Sequence, residues 1–218
     1  IFLIVAGISI IDVILESQIK ENYKPSGEKF SLKQHFEDMK DGFRYIKKEK
    51  GIRNIYTYMS ITNGASFGIG SITQAFYQTQ KWLSVTMLGF LRSSELVGRM
   101  FAGMIQYKKE IPVKKRYGLT KFVYTFYDTM DSILLFLPYP LMLLNRFLCG
   151  GLGTTSATIR SAAVQSYLPA DMRARVNAFF STIMAIGGVG FQLIAGALGE
   201  ILPYQIVALL LGLFTLFS

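Results

Sequence analysis

The sequence predicts an all-α fold of the polytopic membrane class. Three observations carry that reading: apolar stretches of bilayer-crossing length, polar connectors between them, and basic residues crowded into every second connector. Lys and Arg resist translocation, so connectors rich in them stay on the cytoplasmic side. Between residues 15 and 55 lie Lys20, Lys24, Lys29, Lys33, Lys40, Arg44, Lys47, Lys48, Lys50 and Arg53, whereas the next connector has only Lys81. Lys108, Lys109, Lys114, Lys115 and Arg116 fill the one after, and residues 137–141 hold no charge. Arg173 and Arg175 mark a third basic connector, and the last, around Leu202 and Pro203, has only Glu200 nearby.

Composition agrees. The chain is 51% hydrophobic and 14% aromatic, with a mean hydropathy of +0.35, more apolar than an ordinary soluble domain. A formal charge of +9 on one face of a soluble fold would indicate nucleic acid. Spread over loops between apolar stretches, it indicates anionic lipid headgroups instead, so the expected partner is the bilayer. Cys149 is the single cysteine and lies in an apolar segment, which excludes a disulfide within the chain. His35 is the sole histidine and lies in the longest polar stretch. A His-based metal site or Ser-His-Asp chemistry is therefore not expected, nor any catalytic residue, metal or cofactor.

In chain order, residues 1–15 are apolar but would measure only about 22 Å at roughly 1.5 Å per residue, short of the ~30 Å hydrocarbon core. Residues 204–218 are similarly short, and both runs read as helices cut in mid-span, which predicts a fragment of a longer protein. A signal peptide is a poor alternative for the first run, which lacks a basic leader and a small-residue cleavage site. Residues 16–52 form a cytoplasmic loop in which Ser31 and Gln34 fit a capping box and Leu32, Phe36, Met39, Phe43 and Ile46 recur at helical spacing. That amphipathic helix has two open arrangements: lying on the inner membrane surface or packing on the helical body.

Residues 53–218 form the predicted transmembrane bundle. Five stretches, 55–77, 83–107, 117–137, 141–167 and 176–198, are near or above the ~20 residues a helix needs to cross. Pro112, Pro138, Pro140, Pro169 and Pro203 fall in connectors, as helix boundaries require. With basic loops cytoplasmic, the leading segment runs from outside to inside and the rest alternate.

This order of elements resembles the major facilitator superfamily of secondary transporters, twelve-span carriers whose halves are joined by a long cytoplasmic loop. The likeness covers essentially the whole chain and is nearest to the bacterial drug-efflux-like branch. Gly42-Phe43-Arg44-Tyr45-Ile46 is similar to the string before span seven of that branch. The segment from Leu168 through Pro169, Ala170, Asp171, Met172, Arg173, Ala174 and Arg175 to Val176, Asn177 and Ala178 resembles its connector between spans ten and eleven, with Ala174 where a glycine is common. Gly103, Lys108 and Lys109 match part of the family's loop between spans eight and nine, with Tyr107 where an acid is expected. The resemblance implies the carboxy-terminal half-bundle of six helices, spans seven to twelve, plus the end of span six. It also implies an amino-terminal half of the same polypeptide as partner, a small-molecule solute, and the cytoplasmic membrane as location.

Ionisable groups inside spans are expensive and face cavities or one another, so they supply the candidate site. Arg92, Glu95 and Arg99 share one helical face, and Glu95 can pair with either arginine. This cluster reads either as a polar face toward a translocation path or as a self-neutralising structural group. Asp131 precedes Pro138 by seven residues and Arg146 follows Pro140 by six, so an antiparallel hairpin sets them at similar depth as an ion pair. Asp128, one turn deeper, has no such obvious partner. Asp128 and Glu95 are thus the proton-coupling candidates, although in many related carriers the coupling acid lies in the amino-terminal half. Asn63, Phe67, Gln74, Tyr124 and Gln192 are the further solute-path candidates, with Ser66 and Phe191 beside them. Gly64 and Gly68, then Gly150, Gly151 and Gly153, then Gly187, Gly188 and Gly190 serve either close packing or bending in a rocking bundle.

The functional expectation is a secondary carrier moving small, amphipathic solutes by alternating access, in proton-coupled efflux. The rival from another class is a non-transporting membrane scaffold, which keeps spans and basic loops but needs no water-accessible acid. A membrane enzyme is disfavoured, with only Asp128 and Asp131 as an acid pair at i and i+3.

Overall fold

The computed structural model describes residues 2–18, 31–108 and 111–217. Lys20, Lys24, Lys29 and Lys109 of the basic connectors lie outside the described residues, as do the side chains of Leu32 and His35. Among the described residues the chain is all-helical, without strands. It divides into two units, Ile1–Phe36 and Glu37–Ser218.

The first unit contains α1 (Phe2–Ser17), closed at its end by the Ser17 hydroxyl donating to the Ile14 carbonyl at 2.8 Å. Helix α2 (Leu32–Lys48) begins next to Ser31. The second unit continues with α3 (Lys50–Thr79), α4 (Val85–Lys108), α5 (Val113–Ile133), α6 (Tyr139–Tyr167), α7 (Arg173–Ile201) and α8 (Tyr204–Leu216). Each limit falls within a few residues of a stretch expected from the sequence. Prolines set several of them: Pro112, Pro138 and Pro203 stand just before α5, α6 and α8, where a missing N–H leaves no helical bond unmade.

By length and composition, one helix among the described residues, α7, suffices to cross a membrane. The others of comparable length dilute their apolar character, α3 with Asn, Ser, Thr and Gln and others with charge. Helix α4 carries Arg92, Glu95 and Arg99, and α5 carries Asp128 and Asp131 besides the basic residues of its first turns.

Within the second unit, α4 lies along α6, α3 along α7 and α8, and α5 against both α6 and α8. The closest approaches need glycine. A Cβ at Gly98 would overlap the Phe147 carbonyl oxygen, and one at Gly150 the Glu95 carbonyl oxygen, so α4 and α6 meet backbone to backbone. Gly64 and Gly68 similarly receive Phe191 and Ala195 of α7. Of the two roles open to these glycines, the packing role is visible in the contacts.

Two apolar clusters form the core of the bundle. One gathers Ile72, Phe76, Leu83, Leu135, Met142 and Val207, and the other Ile46, Ile52, Tyr56, Met59, Val164 and Val176. The second incorporates α2. Ile46 is buried there, Gly42 sits where a Cβ would stand 2.7 Å from the Arg175 carbonyl oxygen, and Asp38 and Asp41 pair with the Arg175 guanidinium at 3.0 and 3.8 Å. From Glu37 onward α2 therefore takes the packed arrangement on the helical body, although Phe43 keeps about half its surface exposed beside the Phe179 ring.

Candidate functional site

Helices α3, α4, α5 and α6 line a half-open cavity of about 630 Å³. On α3 its lining runs from Thr62 to Thr73 and on α6 from Arg146 to Arg160. Its volume is within the range of sites for drug-sized molecules.

The deepest part is built on the hairpin of α5 and α6. The helices are joined through a 3₁₀ turn, Leu134–Phe136, and the Pro138 carbonyl accepts the first α6 amides. The Asn145 amide donates to the Met130 carbonyl at 3.0 Å, which fixes the register of the two helices. That register brings Arg146 onto Asp131 in a direct ion pair, both nearly buried. Asn145 Oδ1 accepts from Arg146 Nε and Nη2 at 3.2 and 3.0 Å, and the Ser66 hydroxyl donates to the other Asp131 oxygen at 3.3 Å. The guanidinium also lies 5.9 Å from the Tyr127 ring centroid, within cation–π range. Both Asp131 oxygens and the Nε and Nη2 donors of Arg146 are thereby engaged, as a buried ion pair requires to persist.

Asp128 is also buried, and here the structure corrects the expectation that it lacks a partner. The Tyr58 hydroxyl donates to Asp128 Oδ2 at 3.4 Å, and Thr215 of α8 is a second side-chain hydrogen-bond partner. The Ser132 hydroxyl bonds the Asp128 carbonyl at 2.7 Å. Sequence reasoning missed Tyr58 because a neutral tyrosine on a distant helix gives no charge signal.

On α4, Glu95 chooses Arg99 over Arg92, an i,i+4 ion pair. Arg92 instead donates to Gln74 Oε1 at 3.2 Å. Glu95, Arg92 and Arg99 all line the cavity. So do Asn63, Phe67 and Tyr124, although Asn63 spends its amide on the Met59 carbonyl of its own helix. Gln74 stands outside the lining and reaches it only through Arg92, and Gln192 is exposed on α7, also outside it. Arg160, which lines the cavity, went unnoticed in the sequence. Arg160 donates to the Tyr124 hydroxyl and stacks near its ring, and Tyr124 meets Tyr58 edge to face at 5.1 Å. Arg160 carries the same signal as Arg146, a cation within an apolar stretch, and was legible in principle.

Among the described residues no group of three His, Cys, Asp or Glu side chains could hold a metal ion. The arrangement offers charged and aromatic groups around a space. Comparison with known proteins finds no match, whether among family models, curated proteins or solved structures.

Proposed function

We propose that this chain is the carboxy-terminal half-bundle of a facilitator-type membrane carrier, which moves small amphipathic solutes by alternating access in proton-coupled efflux. The observation that carries the reading is an inverted polarity. Leu96, Met100, Phe101 and Met104 on α4 and Ile186, Val189 and Leu193 on α7 are exposed, while Asp128, Asp131 and Arg146 are buried beside the cavity. In water such an exterior would aggregate. In lipid it is the stable surface, and charged groups belong inside, around a cavity or in pairs. The alternation of basic connectors supports the same reading, in which they lie on the cytoplasmic face of the inner membrane.

In this mechanism the bundle rocks against an amino-terminal half around a site near the midplane. Solute occupies the cavity of α3 to α6, and Asp128 or Glu95 exchanges the coupling proton. The ion pair of Asp131 and Arg146 holds the α5–α6 hairpin rigid while the bundle moves.

The test is movement of a panel of amphipathic dyes in inverted vesicles bearing the complete gene product, under an imposed proton gradient. The expected outcome is gradient-dependent dye movement that Asp128→Asn abolishes. Movement that survives the substitution keeps the carrier and removes Asp128 from the proton path. No movement of any dye in the wild type would favour the scaffold.

A further inference from the structure

The charges around the cavity do not cancel. Four guanidiniums line it, those of Arg92, Arg99, Arg146 and Arg160, against the carboxylates of Glu95, Asp128 and Asp131. Arg99 is matched to Glu95 and Arg146 to Asp131. The third carboxylate is engaged by neutral groups, Tyr58 and Thr215. The remaining cations also rest on neutral groups: Arg92 on the Gln74 amide oxygen and Arg160 on the Tyr124 hydroxyl. Among the described residues neither of these two guanidiniums has a carboxylate within 4.0 Å. A further polar atom is unmet, since Thr73 lines the cavity and its buried hydroxyl oxygen has no hydrogen-bond partner among the described residues.

We infer that the solute of this cavity is an amphipathic anion, its carboxylate or sulfonate held by Arg160 and its apolar body lying against the Tyr124 side of the cavity. The inference rests on the carrier reading and specifies the solute class within it. A guanidinium in a water-poor site is poorly compensated by a hydroxyl. An oxyanion restores the balance and matches the planar fork of donors bidentately. Arg160 has donors to spare, because a guanidinium carries five N–H groups and Tyr124 takes a donation from one terminal nitrogen. The Tyr124 and Tyr58 rings, edge to face at 5.1 Å, form an aromatic corner next to that cation. Arg92 adds a second positive charge to the same space. A cationic solute would find two of the three cavity carboxylates paired with guanidiniums and the third, Asp128, hydrogen-bonded to both Tyr58 and Thr215.

The test uses three matched naphthalene probes, a sulfonate, a neutral sulfonamide and a methylammonium, with the complete gene product in lipid nanodiscs. The sulfonate is expected to bind about tenfold tighter than the sulfonamide or better, the order of a charge-assisted hydrogen bond. Arg160→Gln should erase that preference by lowering sulfonate affinity far more than sulfonamide affinity, and Arg160→Lys should keep part of it. Should Arg160→Gln fail to fold, the ranking of the three probes on the wild type and on Arg160→Lys decides. Equal binding of all three, tightest binding of the ammonium, or a sulfonate preference intact in Arg160→Gln would overturn the inference. Gradient-driven movement in proteoliposomes separates it from the carrier reading. Movement of the ammonium alone keeps a carrier and overturns the anion. Arg160-dependent sulfonate binding without movement of any probe upholds the anion site and overturns the carrier.

Discussion

Helix α6 builds its two sides by opposite means. Toward α4 it offers Gly150 and Gly151, and the backbones meet with Gly98 on the other side. Toward α5 it offers Asn145, Arg146 and Cys149, and the contact is made by a buried ion pair with its hydrogen-bond shell. The first seam holds by shape, through close van der Waals contact, with neutral hydrogen bonds from Ser94 to the Leu143 carbonyl, Gln106 to Thr155 and Tyr139 to the Met87 carbonyl, none of which involves a charge. The second holds only while each charged group keeps its partner. One helix can thus be anchored firmly on one side while the other side, bordering the cavity, stays electrostatically sensitive.

The strongest way to break this contrast is on the α5 side. Arg146→Ala or Asp131→Ala should destabilise the protein by about 3–5 kcal/mol, because each leaves a buried charge unpaired. The double substitution Asp131→Leu with Arg146→Met should cost far less, since no charge remains to be compensated. Thermal unfolding of the purified complete gene product in detergent would show this as a large loss in the singles and partial recovery in the double. Equal losses in all three would mean that packing, not charge, holds this side.

The α4 side should respond to volume instead. Gly98→Ala and Gly150→Ala each drive a methyl into a carbonyl oxygen of the facing helix, with an expected loss of about 1–3 kcal/mol from overpacking. Gly103→Ala is the control, on the same helix with nothing near the added carbon. It should be neutral or slightly stabilising, by up to about 1 kcal/mol, through helix propensity. Matching losses at Gly98 and Gly103 would refute the shape-based account of the seam.

These two sides were unequally legible in the sequence. The ion pair of Asp131 and Arg146 followed from arithmetic, because Pro138 and Pro140 fix the turn and helix rise does the rest. Helix limits followed likewise from apolar length and proline position. Glu95 was different: Arg92 and Arg99 are both at helical spacing, and the deciding group, Gln74, belongs to another helix. Asp128 seemed partnerless because Tyr58 is 70 residues away and uncharged. Gly98 escaped notice for a related reason. A lone glycine in an apolar run has no pattern, and only the facing Phe147 carbonyl shows why the position must be bare.

The smallest expected effect sharpens the comparison at the rim of the bundle. Arg175 pairs with Asp38 and Asp41, as Arg146 pairs with Asp131, but here the partners are each more than a third exposed. Water and salt already solvate such groups, so forming the pair gains little and breaking it strands no buried charge. Arg175→Ala should therefore lower stability by about 0.2–1 kcal/mol. The effect should shrink further in about 1 M salt, where the screening length falls to roughly 3 Å. Unfolding measured at low and high salt for Arg175→Ala and Arg146→Ala makes the contrast quantitative. The rim variant should converge on wild type as salt rises, while the buried variant keeps its deficit. A salt-independent loss at Arg175 would instead implicate packing of its stem beneath α2, and α2 would then be held to the body by shape as α4 is held to α6.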